Sequence, residues 1–189
     1  MNPLSTYIQS ILPKISEDSL AVIEETFQLE ERGKGELLLR QGEVCKDLYF
    51  LADGICRSYS IKDGNDITTW FSFKDDFITS FTSFFPKEPS YESIEMLNDG
   101  TLYRISYEKL IDIRESSREF ERMINLFSLQ YTVRLEKRLF HLQTQTASEK
   151  YQLILSQQPH LVKFIPNKHL ASYLGISRET LSRIKSSIS

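Results

Sequence analysis

The residues best suited to chemistry lie near the end of the chain, between positions 167 and 184. Glu179 and Arg183 project from one side of a predicted helix, one turn apart, and Arg178 flanks them in the first turn. An arginine can donate two hydrogen bonds to O6 and N7 of guanine, and a glutamate can accept one from N4 of cytosine. The set predicts a helix that reads base edges in the major groove of DNA.

Four polar residues around this helix are better placed for the DNA backbone. They are Lys168, His169, Ser177 and Lys185. Contacts to phosphate fix the register of a protein on DNA without reading its sequence. We therefore expect these residues to hold the predicted reading helix in the groove.

The pattern beneath these side chains predicts a helix-turn-helix. Gly175 is expected to end the first helix in a left-handed conformation, which glycine adopts without strain. Ser177 is expected to cap the second helix with its side-chain oxygen. Apolar or small residues recur where such a motif buries them, at Leu170, Ala171, Leu174, Ile176, Leu181 and Ile184.

Charge is divided unevenly along the chain. The 189 residues carry a net charge of −3, which by itself argues against binding to nucleic acid. Residues 1–133, however, hold 14 Lys and Arg against 23 Asp and Glu, whereas residues 134–189 hold 9 against 3. A basic segment beside an acidic body is typical of a protein in which one domain approaches phosphates. A chance asymmetry of solvated side chains is the alternative.

Residues 36–106 form a turn-rich β region. Asp53-Gly54 predicts a hairpin, Lys62–Asn65 a second turn, and Asp99-Gly100 a turn before the last strand. Short strands at this spacing favour a small barrel or a rolled sandwich. The predicted strands cover residues 36–40, 48–52, 55–61, 66–73, 91–97 and 101–105.

Helices are predicted on both sides of this region. Two short ones precede it, over residues 4–12 and after a cap at Ser16. After it, a long helix is predicted over residues 115–143, and a fresh helix begins where Thr146 and Glu149 form a capping box. Residues 162–165 are a candidate short strand.

The long helix carries two apolar faces, although a helix covered only by its own domain needs one. The second face implies another partner surface, most simply the same helix of a second subunit. We expect a homodimer through the first face; burial of both faces within one subunit is the alternative. The first face holds Phe120, Ile124, Phe127, Tyr131 and Leu135, and the other holds Leu126, Leu129, Val133 and Phe140.

The segment 176–184 resembles the recognition helix of the Crp/Fnr family of bacterial transcription regulators. The Ser-Arg-Glu-Thr-x-x-Arg pattern of that family matches Ser177, Arg178, Glu179, Thr180 and Arg183. By this analogy the two arginines and the glutamate touch base edges, and a dimer binds palindromic double-stranded DNA. RNA polymerase is a further candidate partner of such a regulator.

The resemblance extends over nearly the whole chain and implies an α+β fold. Residues 1–114 are similar to a cyclic-nucleotide-binding roll, a double-stranded β-helix or jelly roll that acts as a sensor domain. Residues 115–143 correspond to the dimerisation helix of the family, and residues 144–189 to its helix-turn-helix domain.

Two departures from the family bear on function. Its cyclic-nucleotide binders hold the ribose and the cyclic phosphate with a Gly-Glu pair and an Arg-Ser or Arg-Thr pair. The corresponding stretch here, residues 75–93, contains no glycine and no arginine, and its only cation is Lys87. We expect no response to cyclic AMP by the usual mode, because no guanidinium is present to clamp the phosphate. We also expect no wing contacts to DNA, since only five residues follow Ile184 in this sequence.

A response of the predicted sensor roll to a different effector is the alternative. An apolar pocket for an uncharged or weakly acidic molecule of unknown identity is one interpretation of this stretch; the other is that its aromatic residues fill the core. A response to a cyclic nucleotide through an unusual pocket stays open as well. The candidate lining residues are Phe77, Ser80, Thr82, Ser83, Tyr91, Glu92, Ser93 and, from the long helix, Tyr131.

Other classes of function find no support in the sequence. Two isolated cysteines, Cys45 and Cys56, cannot build a four-cysteine iron–sulfur cluster. The histidines, at positions 141, 160 and 169, all follow the predicted roll, which argues against a cupin-type metal site. We expect no enzymatic activity, no cofactor and no metal. The sequence shows no secretory signal and no membrane-spanning run, which favours the cytoplasm.

Overall fold

A computed structural model of the protein describes residues 2–157, 159 and 161–188. Contacts between residues divide the chain into two compact units. The first unit contains the residues up to Ser58 together with Phe71–Gln130, and the second contains Tyr59–Trp70 together with the residues from Tyr131 onward. The predicted segment boundaries at 114 and 143 differ from this division, which separates Gln130 from Tyr131 and groups residues 59–70 with the C-terminal residues.

Two four-stranded sheets form the β region. The strands are β1 (Gln28–Arg32), β2 (Leu37–Leu39), β3 (Asp47–Asp53), β4 (Cys56–Lys62), β5 (Asn65–Ser72), β6 (Phe77–Ile78), β7 (Ser93–Met96) and β8 (Gly100–Ser106). One sheet has the order β1-β8-β3-β6 and the other the order β2-β7-β4-β5. The fold is the predicted double-stranded β-helix, since the chain passes repeatedly from one sheet to the other. The short strands β1 and β6 were not predicted.

Helices flank the strands and form most of the second unit. They are α1 (Pro3–Ile11), α2 (Glu17–Thr26), α3 (Phe81–Phe84), α4 (Tyr107–Ser116), α5 (Arg118–Thr144), α6 (Ala147–Gln157), α7 (Leu161–Phe164), α8 (Asn167–Leu174) and α9 (Arg178–Ile188). The predicted cap of α2 is confirmed, since the Ser16 side chain accepts from Ser19 N. Helix α5 begins at Arg118 because Ser117 is extended and ends α4. Among the described residues, no helix is both long and apolar enough to cross a membrane.

One predicted turn of the roll is confirmed, and one predicted hairpin is wrong. Asp63 and Gly64, with φ of 51° and 76°, join β4 to β5, which lie side by side in one sheet. Two consecutive residues with positive φ are typical of the tight hairpin turn that this dipeptide predicts. The hairpin predicted at Asp53-Gly54 is wrong, because β3 and β4 belong to different sheets.

Gly54 and Gly100 instead let the chain cross between the sheets at close quarters. Gly54 has φ of 114°, and a Cβ added to Gly100 would lie 3.2 Å from the Gly54 Cα. The same Cβ would collide with the main-chain oxygen of Asp53. These glycines are therefore required by the crossing of two backbones, a use of glycine that resembles a hairpin signal in the sequence.

The core of the first unit lies between the sheets and the helices packed on them. Phe50, Leu51 and Leu102 are fully buried on the paired strands β3 and β8, and Leu4 and Ile8 are fully buried on α1. The start of α5 closes this core with Phe120 and Met123, each 1% exposed. Packing of this quality gives the roll a fixed interior.

The second unit has a smaller core built from its short helices. Tyr151 of α6, Leu170 of α8 and Leu181 of α9 are buried there. Residues 162–165 belong mostly to the helical turn α7, so the predicted strand is wrong. Val162 and Ile165 are both buried, and their spacing of three residues places them on one side of a helical turn. The helix that begins after Thr146 is confirmed, with Glu149 N donating to Thr146 Oγ1 and Thr146 N donating to Glu149 Oε2.

Candidate nucleic-acid interface and sensor site

The turn between α8 and α9 has the geometry that its sequence predicts. Gly175 is left-handed, with φ of 72° and ψ of 33°. Ile176 N donates to the Ala171 carbonyl at 3.0 Å, which closes α8 in the manner typical of a left-handed glycine. Ser177 Oγ accepts from Thr180 N at 3.1 Å and so caps α9. The two helices and their turn form a compact helix-turn-helix.

Helix α9 has one buried side and one polar side. Leu181 is 1% exposed, whereas Arg178, Glu179 and Arg183 are all exposed. The main-chain N–H of Glu179 and the Ser177 hydroxyl lower the pKa of the Glu179 carboxyl, and the two arginines act in the same direction. The side chain is therefore an ionised acceptor at neutral pH, between two permanent cations.

The residues predicted for phosphate contact are placed unequally. Lys168 and Ser177 are exposed, although the Ser177 hydroxyl is used in the helix cap. His169 is 5% exposed and cannot reach a phosphate while it is buried. Lys185 is half-buried, and its ammonium donates to Asn167 Oδ1 at 2.5 Å, which holds it between α8 and α9. Of the four, Lys168 is the one exposed cation.

The serines of the candidate effector pocket serve the fold of their own segment. Ser80, Ser83 and Ser93 are buried. Ser83 Oγ accepts from Cys45 N at 2.8 Å, and Ser93 Oγ accepts from Gln41 N at 2.8 Å. Ser80 Oγ accepts from the buried Ser90 hydroxyl at 3.0 Å. These contacts fix the loop around α3, a helix that was not predicted.

The other pocket candidates are not gathered around one space. The Phe77 ring packs 3.8 Å from the Phe127 ring, centroid to centroid, and fills the core of the first unit. Thr82 is exposed, Glu92 is half-buried, and Tyr91 is 70% exposed. Tyr131 belongs to the second unit, where its ring lies 5.9 Å from that of Trp70. The structure thus favours core filling over a ligand pocket for Phe77, whereas Tyr91 is largely exposed.

A buried ion pair inside the roll was not predicted. Arg57 of β4 donates to Glu95 of β7, with Nε 2.9 Å and Nη2 2.7 Å from Oε1. The Arg57 side chain is only 3% exposed. A charged residue in a strand is ordinarily read as solvent-facing, so nothing in the local pattern identifies this pair. The pair joins β4 to β7, which are neighbours in one sheet.

The apolar faces of α5 differ from the prediction for the dimer. Phe120, Ile124 and Phe127, on the face expected to meet a second subunit, pack against the core of their own unit. Tyr131 packs on Trp70, and Leu135 is 42% exposed. On the other face Leu126 also packs against this core, whereas Leu129, Val133 and Phe140 are 60%, 40% and 60% exposed. We call these three residues the α5 seam.

Among the described residues, no group of three or more His, Cys, Asp and Glu side chains lies close enough to hold a metal ion. His160 is outside the described residues. Cys45 and Cys56 are buried free thiols, and burial raises the pKa of Cys56 far above its ordinary value.

Comparison with known proteins finds a likeness in the roll. Residues 29–117 match the family described as cyclic nucleotide-binding domain. The match runs from within β1 to the end of α4 and includes the loop around α3. No curated protein sequence matches the chain significantly.

Solved structures extend the likeness beyond this cyclic nucleotide-binding domain. FixK2 from Bradyrhizobium japonicum is 19% identical over 86% of this chain and 84% of that one, with a TM-score of 0.73. CLP from Xanthomonas campestris, a global regulator responsive to c-di-GMP, is 16% identical over 92% and 91%, with a TM-score of 0.71. A protein from Eubacterium rectale assigned to the Crp/Fnr family of transcriptional regulators is 17% identical over 92% and 83%, with a TM-score of 0.67. The cyclic nucleotide-binding domain and the helix-turn-helix therefore occur together in the Crp/Fnr fold.

Proposed function

We propose that the protein is a sequence-specific DNA-binding transcriptional regulator of the Crp/Fnr type. The observation that carries the proposal is the polar side of α9, where Glu179 and Arg183 are exposed opposite the buried Leu181 and Arg178 is exposed beside them. The side chains stand free of the core of the second unit and offer two guanidinium donors and one ionised acceptor. Those groups match the edges of guanine and cytosine in the major groove.

The regulator acts as a homodimer that joins through the α5 seam. Leu129, Val133 and Phe140 follow the three- and four-residue spacing of a coiled-coil seam, with Glu136 at the intermediate position. Exposed apolar residues on this spacing suit a second copy of the same helix better than they suit water. A two-fold dimer presents two copies of α9, and its operator is a palindrome with half-sites about one helical turn apart.

The roll does not bind cyclic AMP by the usual mode. Lys87 is the only cation of residues 75–93, and its ammonium lies over the Tyr107 ring. The hydroxyls of Ser80 and Ser83 are bound within the loop, and a serine offers no charge to a phosphate. The input of the regulator is a different effector or none. No catalytic role is proposed, and the cytoplasm is the site of action, where RNA polymerase is a candidate partner.

Fragments of the native genome provide the test of DNA binding. The full chain is mixed with sheared genomic DNA at low salt, and bound fragments are recovered and sequenced. We expect enrichment of a small set of fragments, with affinity that falls steeply as salt rises because phosphate contacts release counterions. Association with DNA that does not respond to salt, or no association, contradicts the proposal and favours a structural or catalytic β-roll protein.

A further inference from the structure

The second unit contains a contact between the β4–β5 hairpin and α8 that the function described so far does not use. Ser172 Oγ of α8 accepts from Thr68 N at 2.9 Å and donates to the Asp66 carbonyl at 3.1 Å. One side chain thus bonds two main-chain groups of β5. We call this pair of hydrogen bonds the Ser172 latch.

The latch sits at the outer edge of a sheet. Strand β5 is the last in the order β2-β7-β4-β5, so among the described residues no strand pairs with its outer side. Asp66 and Thr68 are two residues apart and direct their main-chain groups to the same edge. An edge strand offers unpaired donors and acceptors. Ser172 bonds the backbone at this edge, and Thr68 is 2% exposed.

A second contact involves Tyr173, the next residue of α8. Arg138 Nη2 of α5 donates to the Tyr173 carbonyl at 3.1 Å, and the guanidinium lies 3.6 Å from the centre of the Tyr173 ring. The last four carbonyls of a helix have no partner within the helix, and a cation there also complements the helix dipole. Two consecutive residues of α8 are therefore bonded to two different elements, Ser172 to the β4–β5 hairpin and Tyr173 to α5.

Neither contact lies on the polar side of α9. Ser172, Tyr173 and Arg138 touch the hairpin and α5, while the reading residues follow Gly175. Helix α8 supports α9 through Leu170, Leu174 and Leu181, all nearly fully buried. A shift of α8 therefore moves α9 with it, although no DNA contact is altered directly.

We propose that Ser172 and Arg138 are positioning residues, which hold the helix-turn-helix on the β4–β5 hairpin and α5 so that α9 is oriented before DNA arrives. The inference rests on the proposed function. Ordering a binding element in advance lowers the entropic cost of association. Release of the latch then weakens binding to every sequence by the same factor, because the base contacts and the phosphate contacts are unchanged once the complex has formed.

This pattern differs from that of a contact residue. Loss of a base contact lowers the ratio of specific to non-specific affinity, and loss of a phosphate contact reduces the slope of affinity against salt. Ser172→Ala is expected to lower affinity for specific and non-specific DNA alike by about tenfold, the effect of two ordinary hydrogen bonds. The specificity ratio and the salt slope stay at their wild-type values.

The test combines this pattern with a measurement that needs no DNA. Amide hydrogen exchange is followed at Thr68, whose N–H is donated to Ser172 Oγ. We expect exchange at Thr68 to be at least tenfold faster in Ser172→Ala than in wild type, and emission from Trp70, the single tryptophan, to shift. Ser172→Thr, which keeps the hydroxyl, restores slow exchange. Ser156→Ala, which removes a hydroxyl bonded to Leu153 O on α6, is the matched control and leaves Thr68 unchanged.

Two results overturn the inference. One is wild-type exchange at Thr68 in Ser172→Ala; the other is faster exchange together with wild-type affinity for DNA. If Ser172→Ala does not fold, Arg138→Gln decides the same question through its effect on affinity at a fixed specificity ratio. Failure of the proposed function is seen separately, as a wild-type protein that selects no sequence while the exchange result at Thr68 still stands.

Discussion

The ammonium of Lys87 lies 4.3 Å from the centre of the Tyr107 ring. A cation over an aromatic face is stabilised there by the ring quadrupole. Tyr107 begins α4, so the contact ties the loop after α3 to the first helix that follows the roll. The one cation of residues 75–93 therefore has a structural partner, and this stretch contains no guanidinium that could clamp a cyclic phosphate.

Cyclic nucleotides are expected not to bind the protein at physiological concentrations. Cyclic AMP and cyclic GMP titrated to millimolar concentration give no saturable heat in calorimetry. The thermal midpoint also stays unchanged, whereas a ligand at 100 times its Kd stabilises by about 2.7 kcal/mol. Micromolar binding of either nucleotide contradicts this prediction, and its loss in Lys87→Gln would identify the cation that the phosphate uses.

Arg183→Ala and Lys168→Ala are expected to impair DNA binding in different ways. Removal of the Arg183 guanidinium takes away a base contact and costs about 1–3 kcal/mol of discrimination at one position of each half-site. Removal of the Lys168 ammonium weakens binding to all sequences and lowers the salt slope by about 1. Binding isotherms on matched and mutated sites at several salt concentrations separate the two. Equal loss of sequence preference in both variants would show that the reading side of α9 is misassigned.

The α5 seam is expected to determine the oligomeric state. Phe140→Asp places a charge in an apolar interface and yields a monomer in analytical ultracentrifugation, whereas Glu136→Leu strengthens the dimer because it removes two facing carboxylates. Leu142→Asp is the control, since Leu142 is 43% exposed and lies on the opposite side of the helix. A dimer that survives Phe140→Asp but dissociates in Leu142→Asp would place the interface elsewhere on α5.

Substitution of Gly175 is expected to destabilise the helix-turn-helix. The φ of 72° at Gly175 costs a residue with a Cβ about 1–2 kcal/mol. Gly175→Ala therefore lowers the midpoint of urea unfolding of the helix-turn-helix, as followed by amide exchange in α8 and α9. Gly33→Ala is the matched control, because a Cβ there meets its nearest atom at an ordinary 3.7 Å. Equal stability of the two variants would mean that the turn relaxes without a left-handed residue.

The capping box of α6 is expected to make its first turn sensitive to acid. Hydrogen bonds from Thr146 N and from the Thr146 hydroxyl lower the pKa of Glu149 below its ordinary value. A carboxyl with a depressed folded-state pKa contributes stability above its unfolded-state pKa, and this stability is lost as the pH falls through the folded-state value. Carboxyl chemical shifts and exchange at Lys150 N report both events. In Glu149→Gln the acid dependence of the turn disappears while the Thr146 cap is retained.

Signals that depend on neighbouring residues could be predicted from the sequence. The left-handed Gly175, the Ser177 cap and the Thr146–Glu149 box each follow from side chains within four positions, and all three are confirmed. The same holds for the turn at Asp63-Gly64, whose flanking strands pair directly. The strand prediction for residues 162–165 failed because the two buried residues there fit a helical turn as well as a strand.

Choices that depend on distant partners could not be predicted. Gly54 carries a hairpin signal, but its partner is the backbone at Gly100, 46 positions away in the chain, so the glycine serves a crossing of sheets. The periodicity of α5 identifies two apolar faces without showing which one its own core covers; Phe77 decides this by packing on Phe127. The Ser172 latch and the Arg57–Glu95 pair also join residues far apart in sequence, which a local pattern does not reveal.

Selection from a random duplex library tests the central claim most directly. The full chain and a variant carrying Arg178→Ala and Arg183→Ala each select bound duplexes, which are then sequenced. For the wild type we predict two inverted half-sites with centres about 10 base pairs apart, and for the variant we predict the loss of at least one G·C preference from each half-site. Enrichment of the same motif by both proteins, or of no motif by either, would contradict the claim that α9 reads DNA sequence.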